Sequence, residues 1–135
     1  MKPWGQAMAQ EELLFQLSML EQQSQQLSQQ LENVNSQIGE MEALKLSLEK
    51  LEKGKDKEML ANLGRGIFLR TKQDDDKVFV NVGSRTLVKK SFSEAVEIID
   101  KQVPELKEIR HILQEQALQV SKEVDKIVRE ANKKD

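Results

Sequence analysis

Four groups of residues in this 135-residue chain have types and spacings that could do chemistry. The run Asp74-Asp75-Asp76 offers three carboxylates, the hard oxygen ligands that calcium and magnesium take. A calcium loop spaces its acidic ligands and closes on a Glu, and neither feature is present. Asp is also a good turn residue, and the triplet falls between two strand-like runs, so the turn reading is preferred and no metal is expected. Gly64-Arg65-Gly66 has the glycines of a phosphate loop, yet no Gly-Lys-Ser/Thr follows and no helix opens there. Any function is therefore expected to be independent of ATP. The single histidine, His111, reads as a helix-surface residue with no nucleophile partner, so no catalytic constellation emerges and no enzyme or cofactor is expected. Lys89-Lys90 and the neighbouring arginines lack aromatic interleaving and an overall basic charge, which argues against nucleic acid.

Composition narrows the classes further. There is no Cys, which excludes disulfide frameworks, thiolate zinc sites and Cys nucleophiles. Hydrophobic residues make up 38%, charged residues 33% and aromatics 4%, a balance that suits long helices and coiled coils better than a compact core. No run reaches the apolar length of a membrane span. The first residues, Met1-Lys2-Pro3-Trp4-Gly5-Gln6, lack the apolar core of a signal peptide. A cytoplasmic protein with no membrane partner is expected. The net charge of −2 is spread unevenly: −4 over residues 1–53, +4 over 54–92 and −2 over 93–135. A basic middle between acidic arms would favour acidic partners there. Solvated surface lysines explain it equally well.

The elements that must position these residues are two long helices and a β-like middle. From Glu11 to about Lys53, Leu13, Leu17, Leu20, Ser24, Leu27, Leu31, Val34, Ile38, Met41, Lys45 and Leu48 follow spacings of 4 and 3. A heptad held this long implies a left-handed coiled coil, roughly 65 Å long at 1.5 Å per residue. Ser24 and Lys45 interrupt its seam and are candidates for fixing register. The Gln-rich run 22–30 reads as the polar outer face. Residues 1–9 are expected to fray, because Pro3 and Gly5 oppose helix, and Gly54 is expected to end the helix. Ser91 with Glu94 fits a capping box at the start of the second helix. Its seam runs Ile99, Val103, Leu106, Arg110, Leu113, Ala117, Val120, Val124, Ile127 and Ala131. Pro104 predicts a kink or local break within it.

Between the helices lie four β-like runs, 59–63, 67–73, 78–82 and 86–90, of which the second and third alternate with period 2. Turn chemistry at Gly64-Arg65-Gly66, Asp74-Asp75-Asp76 and Gly83-Ser84-Arg85 separates them. Four strands of about five residues cannot make a core alone, so pairing with other chains is expected. Helix, β element and returning helix together predict a mainly α fold. It is a long antiparallel two-helix coiled coil joined by a small β element of two hairpins. The boundaries are 10–54, 58–91 and 92–133 within one domain, residues 1–135.

Residues 64–69 with 78–83, then Val88-Lys89-Lys90-Ser91 and Ser93-Glu94-Ala95, resemble the alpha-class subunits of the prefoldin family. The two consecutive hairpins carry the class, because beta-class subunits have one. The motif-level likeness covers residues 63–99 and the architectural one nearly the whole chain. Two departures are Gly83-Ser84-Arg85, where a second glycine or small residue is expected, and Pro104. The resemblance implies a hexamer of two alpha and four beta subunits. It also implies a chaperone that holds unfolded polypeptides between coiled-coil tips without ATP and delivers them to a group II chaperonin.

On that reading the substrate-binding tip would comprise Trp4, Met8, Leu13, Leu14, Phe15 and Leu17, facing Val120, Val124, Ile127 and Val128. Ile67, Leu69, Val78, Val80 and Val82 would serve oligomerisation. Leu14, Phe15, Met19, Ile109, Ile112, Leu118 and Val128 lie outside the seams, where apolar groups tend to mark contact sites. For Leu14 and Ile112 a widened seam reads equally well. The alternative function is a coiled-coil scaffold that binds one fixed folded partner.

Overall fold

In the computed structural model, helix α1 spans Pro3–Lys53 and helix α2 spans Phe92–Asn132. Between them lie strands β1 (Glu58–Gly64), β2 (Ile67–Lys72), β3 (Lys77–Asn81) and β4 (Leu87–Ser91). The structure describes residues 3–54 and 58–132, with side chains from residue 9 onward.

The heptad reading of α1 holds residue by residue. Every predicted seam position except Ser24 is withdrawn from solvent, and Leu27, Ile38 and Leu48 are buried. In the Gln-rich run only Leu27 is covered. The expected fraying is not found in the described residues, since α1 already begins at Pro3. Proline suits a first turn: its missing N–H would have no intrahelical partner there, and its φ is preset for helix. Lys50 and Lys53 occupy the last turn, where cations complement the helix dipole, and the Gly54 N–H donates back to the Leu51 carbonyl at 3.4 Å.

Helix α2 starts with the predicted capping box. The Glu94 N–H donates to Ser91 Oγ at 3.1 Å, and the Ser91 N–H donates to Glu94 Oε1 at 3.2 Å. Every predicted α2 seam residue except Ala131 is at least half-buried. Of the kink or local break expected at Pro104, the break does not occur, because α2 runs through it as one helix. Proline there removes one backbone bond, at about 3 kcal/mol. Ile99, which is buried, and Val103 hold that stretch against the core and offset the loss.

The chain divides into two compact units. The β-bearing unit, residues 38–105, has a core of Leu48, Phe92, Ala95 and Ile99, with Met41, Leu51, Val78, Val80, Val96 and Val103 packed around it. Lys45 Nζ reaches Asp100 Oδ1 at 2.7 Å in this unit. The helical unit comprises residues 1–37 and 106–135. Leu27 and Val120 are buried in it, and Arg110 Nη1 donates to Asn35 Oδ1 at 3.3 Å. Later residues of α1 meet earlier residues of α2 in each unit, so the pairing is antiparallel in both.

The strands form two separate two-stranded antiparallel sheets, β1–β2 and β3–β4. Their turns are built alike. Asn62 Oδ1 accepts the Gly64 N–H at 2.9 Å, and Asn81 Oδ1 accepts the Gly83 N–H at 2.9 Å. Three successive left-handed residues follow each Asn turn: Gly64, Arg65 and Gly66 at φ of 113°, 51° and 79°, then Gly83, Ser84 and Arg85 at 112°, 50° and 60°. Arg85 thus stands where the first turn has Gly66, in a region costly for a residue with a Cβ.

Arg85→Gly should therefore stabilise the chain by about 0.5–1 kcal/mol, read by chemical denaturation. The Ser91 N–H, first, and the Ser91 hydroxyl, second, lower the Glu94 pKa from its ordinary value. That contribution is present above the unfolded-state pKa and is lost as pH falls through the folded one. Thermal melts at pH 7 and at acid pH should show Glu94→Ala trailing the parent chain at pH 7, with the gap closing on acidification.

Candidate functional site

Two surfaces carry apolar groups that this chain leaves uncovered. The first lies in the helical unit, where the start of α1 meets the end of α2. Its seam residues Leu13, Leu17, Val124 and Ile127 are half-buried, and Val120 is 5% exposed. These five face the opposing helix. Leu14 and Phe15, one and two positions past Leu13, are 64% and 67% exposed, and Val128 is 43% exposed. The heptad explains the split, since adjacent residues of a helix point about 100° apart. Leu14 and Ile112, for which a widened seam read equally well, both lie outside it, exposed.

Leu13, Leu14, Leu17, Ile127, Val128 and Ala131 line one groove of about 330 Å³, flanked by Gln10 and Asn132. A neighbouring groove of about 480 Å³ is lined by Phe15, Met19, Leu20 and Ile127 together with Glu123, Lys126 and Glu130. Six of the candidate tip residues are thus gathered around two adjoining apolar grooves, of which the second is rimmed by charge, while Val120 and Val124 line neither. The side chains of Trp4 and Met8 lie outside the described residues.

The second surface is the β element. Val78 and Val80 point inward and pack on the Leu48–Phe92 core. Ile67, Leu69 and Val82 are each more than half exposed. So are Leu60, Leu63, Phe68, Phe79 and Leu87, none of which the sequence reading had singled out for assembly. Cross-strand pairing explains the distribution. Ala61 pairs with Leu69 on one face of the first hairpin, and Asn62 pairs with Phe68 on the other, so both faces are apolar. In the second hairpin Val80 pairs with Val88 on the inner face, and Phe79 pairs with Lys89 on the outer. The signal for Phe79 was present as strict alternation with Val78 and Val80, but alternation does not say which face looks inward.

The residues that could have done chemistry are engaged structurally. Asp75 forms an ion pair with Lys89, and Gln73 Nε2 donates to the Asp75 carbonyl at 3.1 Å. The Lys89 bond holds the Asp75 carboxyl below its ordinary pKa and raises that of Lys89. Lys89 Nζ also lies 6.0 Å from the centre of the Phe79 ring, a cation–π distance. His111 Nε2 lies 3.1 Å from Glu115 Oε1 one turn on, both well exposed. Among the described residues, no group of three or more His, Asp or Glu could hold a metal ion. No helix among them is long and apolar enough to cross a membrane.

Comparison with known proteins fits this architecture. A family model described as prefoldin subunit matches residues 20–135. Prefoldin subunit alpha of Pyrococcus horikoshii is 30% identical over 124 residues, covering 90% of this chain and 84% of that one. Prefoldin subunit alpha 1 of Methanocaldococcus jannaschii is 39% identical over 84 residues, 58% of this chain and 59% of its own length. The fold also matches a chain in the cryo-EM structure of filamentous PFD from Methanocaldococcus jannaschii, with a TM-score of 0.71 and 20% identity over 84% of this chain and 96% of that one. The chain belongs to the prefoldin subunit family. The curated relatives it resembles within that family are alpha subunits.

The division between inward and outward strand faces can be checked on the isolated chain. Val80→Ala should cost about 1–2 kcal/mol in chemical denaturation, because it removes methyl groups from the core edge. Phe79→Ser should change stability by no more than about 0.5 kcal/mol and should reduce binding of an apolar dye.

Proposed function

We propose that this chain is an alpha-type subunit of a cytoplasmic prefoldin chaperone. It holds non-native polypeptides with the open ends of its helices, without ATP, and delivers them to a group II chaperonin. In this reading the β element joins it to beta-type subunits, two alpha with four beta. Family membership and the alpha-subunit relatives support the assembly. The observation that carries the holding activity is the exposure of Leu14, Phe15 and Val128 beside two shallow apolar grooves. Exposed apolar groups of this size are contact sites. Flexible residues such as Met19 adapt to varied partners. Several arms acting together gain avidity from individually weak contacts, which suits clients with no shared sequence.

The test is suppression of aggregation of a chemically unfolded protein by the reconstituted complex without nucleotide. Leu14→Ser with Phe15→Ser and Val128→Ser should raise the amount needed for equal protection roughly two- to tenfold, with assembly unchanged by sedimentation. Unchanged protection after deleting residues 1–17 would contradict the assignment to these ends. Binding to one native protein, with no affinity for unfolded chains, would favour the scaffold reading instead.

A further inference from the structure

We propose that two polar contacts, Lys45 with Asp100 and Arg110 with Asn35, select the register in which α1 and α2 pair. The apolar seam does not settle register by itself. Leu, Ile and Val recur at the same heptad spacing on both helices, so displacing one helix by seven residues sets apolar groups against apolar groups again. Register has to come from positions that are not interchangeable.

Lys45 and Arg110 are such positions. Each is a cation standing on a seam, and each is half-buried. Each is answered by a polar residue beside the opposing seam, Asp100 at 2.7 Å and Asn35 at 3.3 Å. The arrangement is reciprocal, with the seam cation on α1 in the β-bearing unit and on α2 in the helical unit. The two contacts also agree. From Asn35 to Lys45, α1 advances ten residues, and from Arg110 to Asp100, α2 steps back ten. One register therefore satisfies both.

A displacement of one heptad does not. In one direction Lys45 meets Ser93 and Arg110 meets Ser28, and both cations lose their partners. In the other, Lys45 meets Lys107 across the seam, a like-charge opposition, although Arg110 then meets Glu42. Lys45 thus loses its carboxylate partner on an apolar seam in both displaced registers, and Arg110 loses its partner in one. Leucine at either position would pack as well in the displaced registers as in this one. Polar seam residues of this kind cost stability and supply specificity. Register in the helical unit also decides which α2 side chains share the groove with Leu14. That consequence rests on the chaperone reading, whereas the register itself does not.

The chain has no cysteine, so engineered pairs report register cleanly. Leu17→Cys with Ile127→Cys, two residues lining one groove, reports the observed register. Leu17→Cys with Val120→Cys reports a displacement of one heptad in the direction that sets Lys45 against Ser93. In the full chain only the first pair should close within a chain, read as the monomer-mass disulfide on a non-reducing gel. Adding Lys45→Leu and Arg110→Leu should make the second pair close in comparable yield, at unchanged helix content by circular dichroism. Exchanging the charges, Lys45→Asp with Asp100→Lys, should leave the second pair open, and Lys45→Asp alone should not. The proposal is overturned if the leucine variant still closes only the first pair, since the core around Phe92 would then set register unaided. If the leucine variant loses helix, the exchanged chain carries the test, and closure of the second pair there overturns the proposal. Aggregation suppression lost with these disulfide patterns intact would count against the chaperone reading and leave the register assignment standing.

Discussion

The constraint on which this structure turns is apolar surface that the chain cannot cover by itself. A two-stranded hairpin is marginal in water, and here there are two, in separate sheets. Folding back on the helices buries only one flank: Val78 and Val80 reach the core of Leu48, Phe92, Ala95 and Ile99. Leu60, Phe68, Leu69, Phe79 and Leu87 remain open to water, beside strand edges with unpaired backbone groups. Both features would be relieved by the same event, addition of strands from other chains. Paired turns with matching Asn hydrogen bonds and left-handed residues present the hairpins in that state.

The helices obey a different economy. Each has one seam, and the seam takes nearly all of its buried apolar surface. Residues next to it are exposed in proportion to their angle from it, which is why Leu13 is half-buried and Leu14 is not. The apolar groups left outside the seam in the helical unit are therefore available for contact rather than packing. Polar residues on the seam, Lys45 and Arg110, are answered individually across it. Such a molecule is held together along lines rather than around a centre, so its specificity rests on few side chains.

Much of this was legible from residue spacing. The 4-and-3 spacing named the seam of both helices almost without error, because one buried stripe per helix leaves no other arrangement. The hairpins followed from period-2 runs broken by glycine and Asp, and the capping box from Ser91 and Glu94. Other features were not legible, for physical reasons that can be named. Proline reads as a helix breaker, yet Pro3 sits in a first turn that needs no donor, and Pro104 is flanked by Ile99 and Val103 on a strong seam. Alternation across Val78, Phe79 and Val80 identified a strand, but only packing on Phe92 shows which side faces in. The partners of Lys45 and Arg110 depend on register between distant segments, which local spacing does not encode. At the candidate site, exposure of Phe15 and Val128 was foreseen from their offset to the seam, that of Leu14 was one of two equal readings, and Leu60, Phe68 and Leu87 in the β element were passed over.

The most direct measurement is the mass of the species in solution, by sedimentation or native mass spectrometry, for this chain alone and with a beta-type prefoldin subunit. The account predicts that the chain associates through its β element and forms a defined complex of more than one chain type when the second subunit is supplied. A single chain that stays monomeric at every concentration, with and without that subunit, would contradict it.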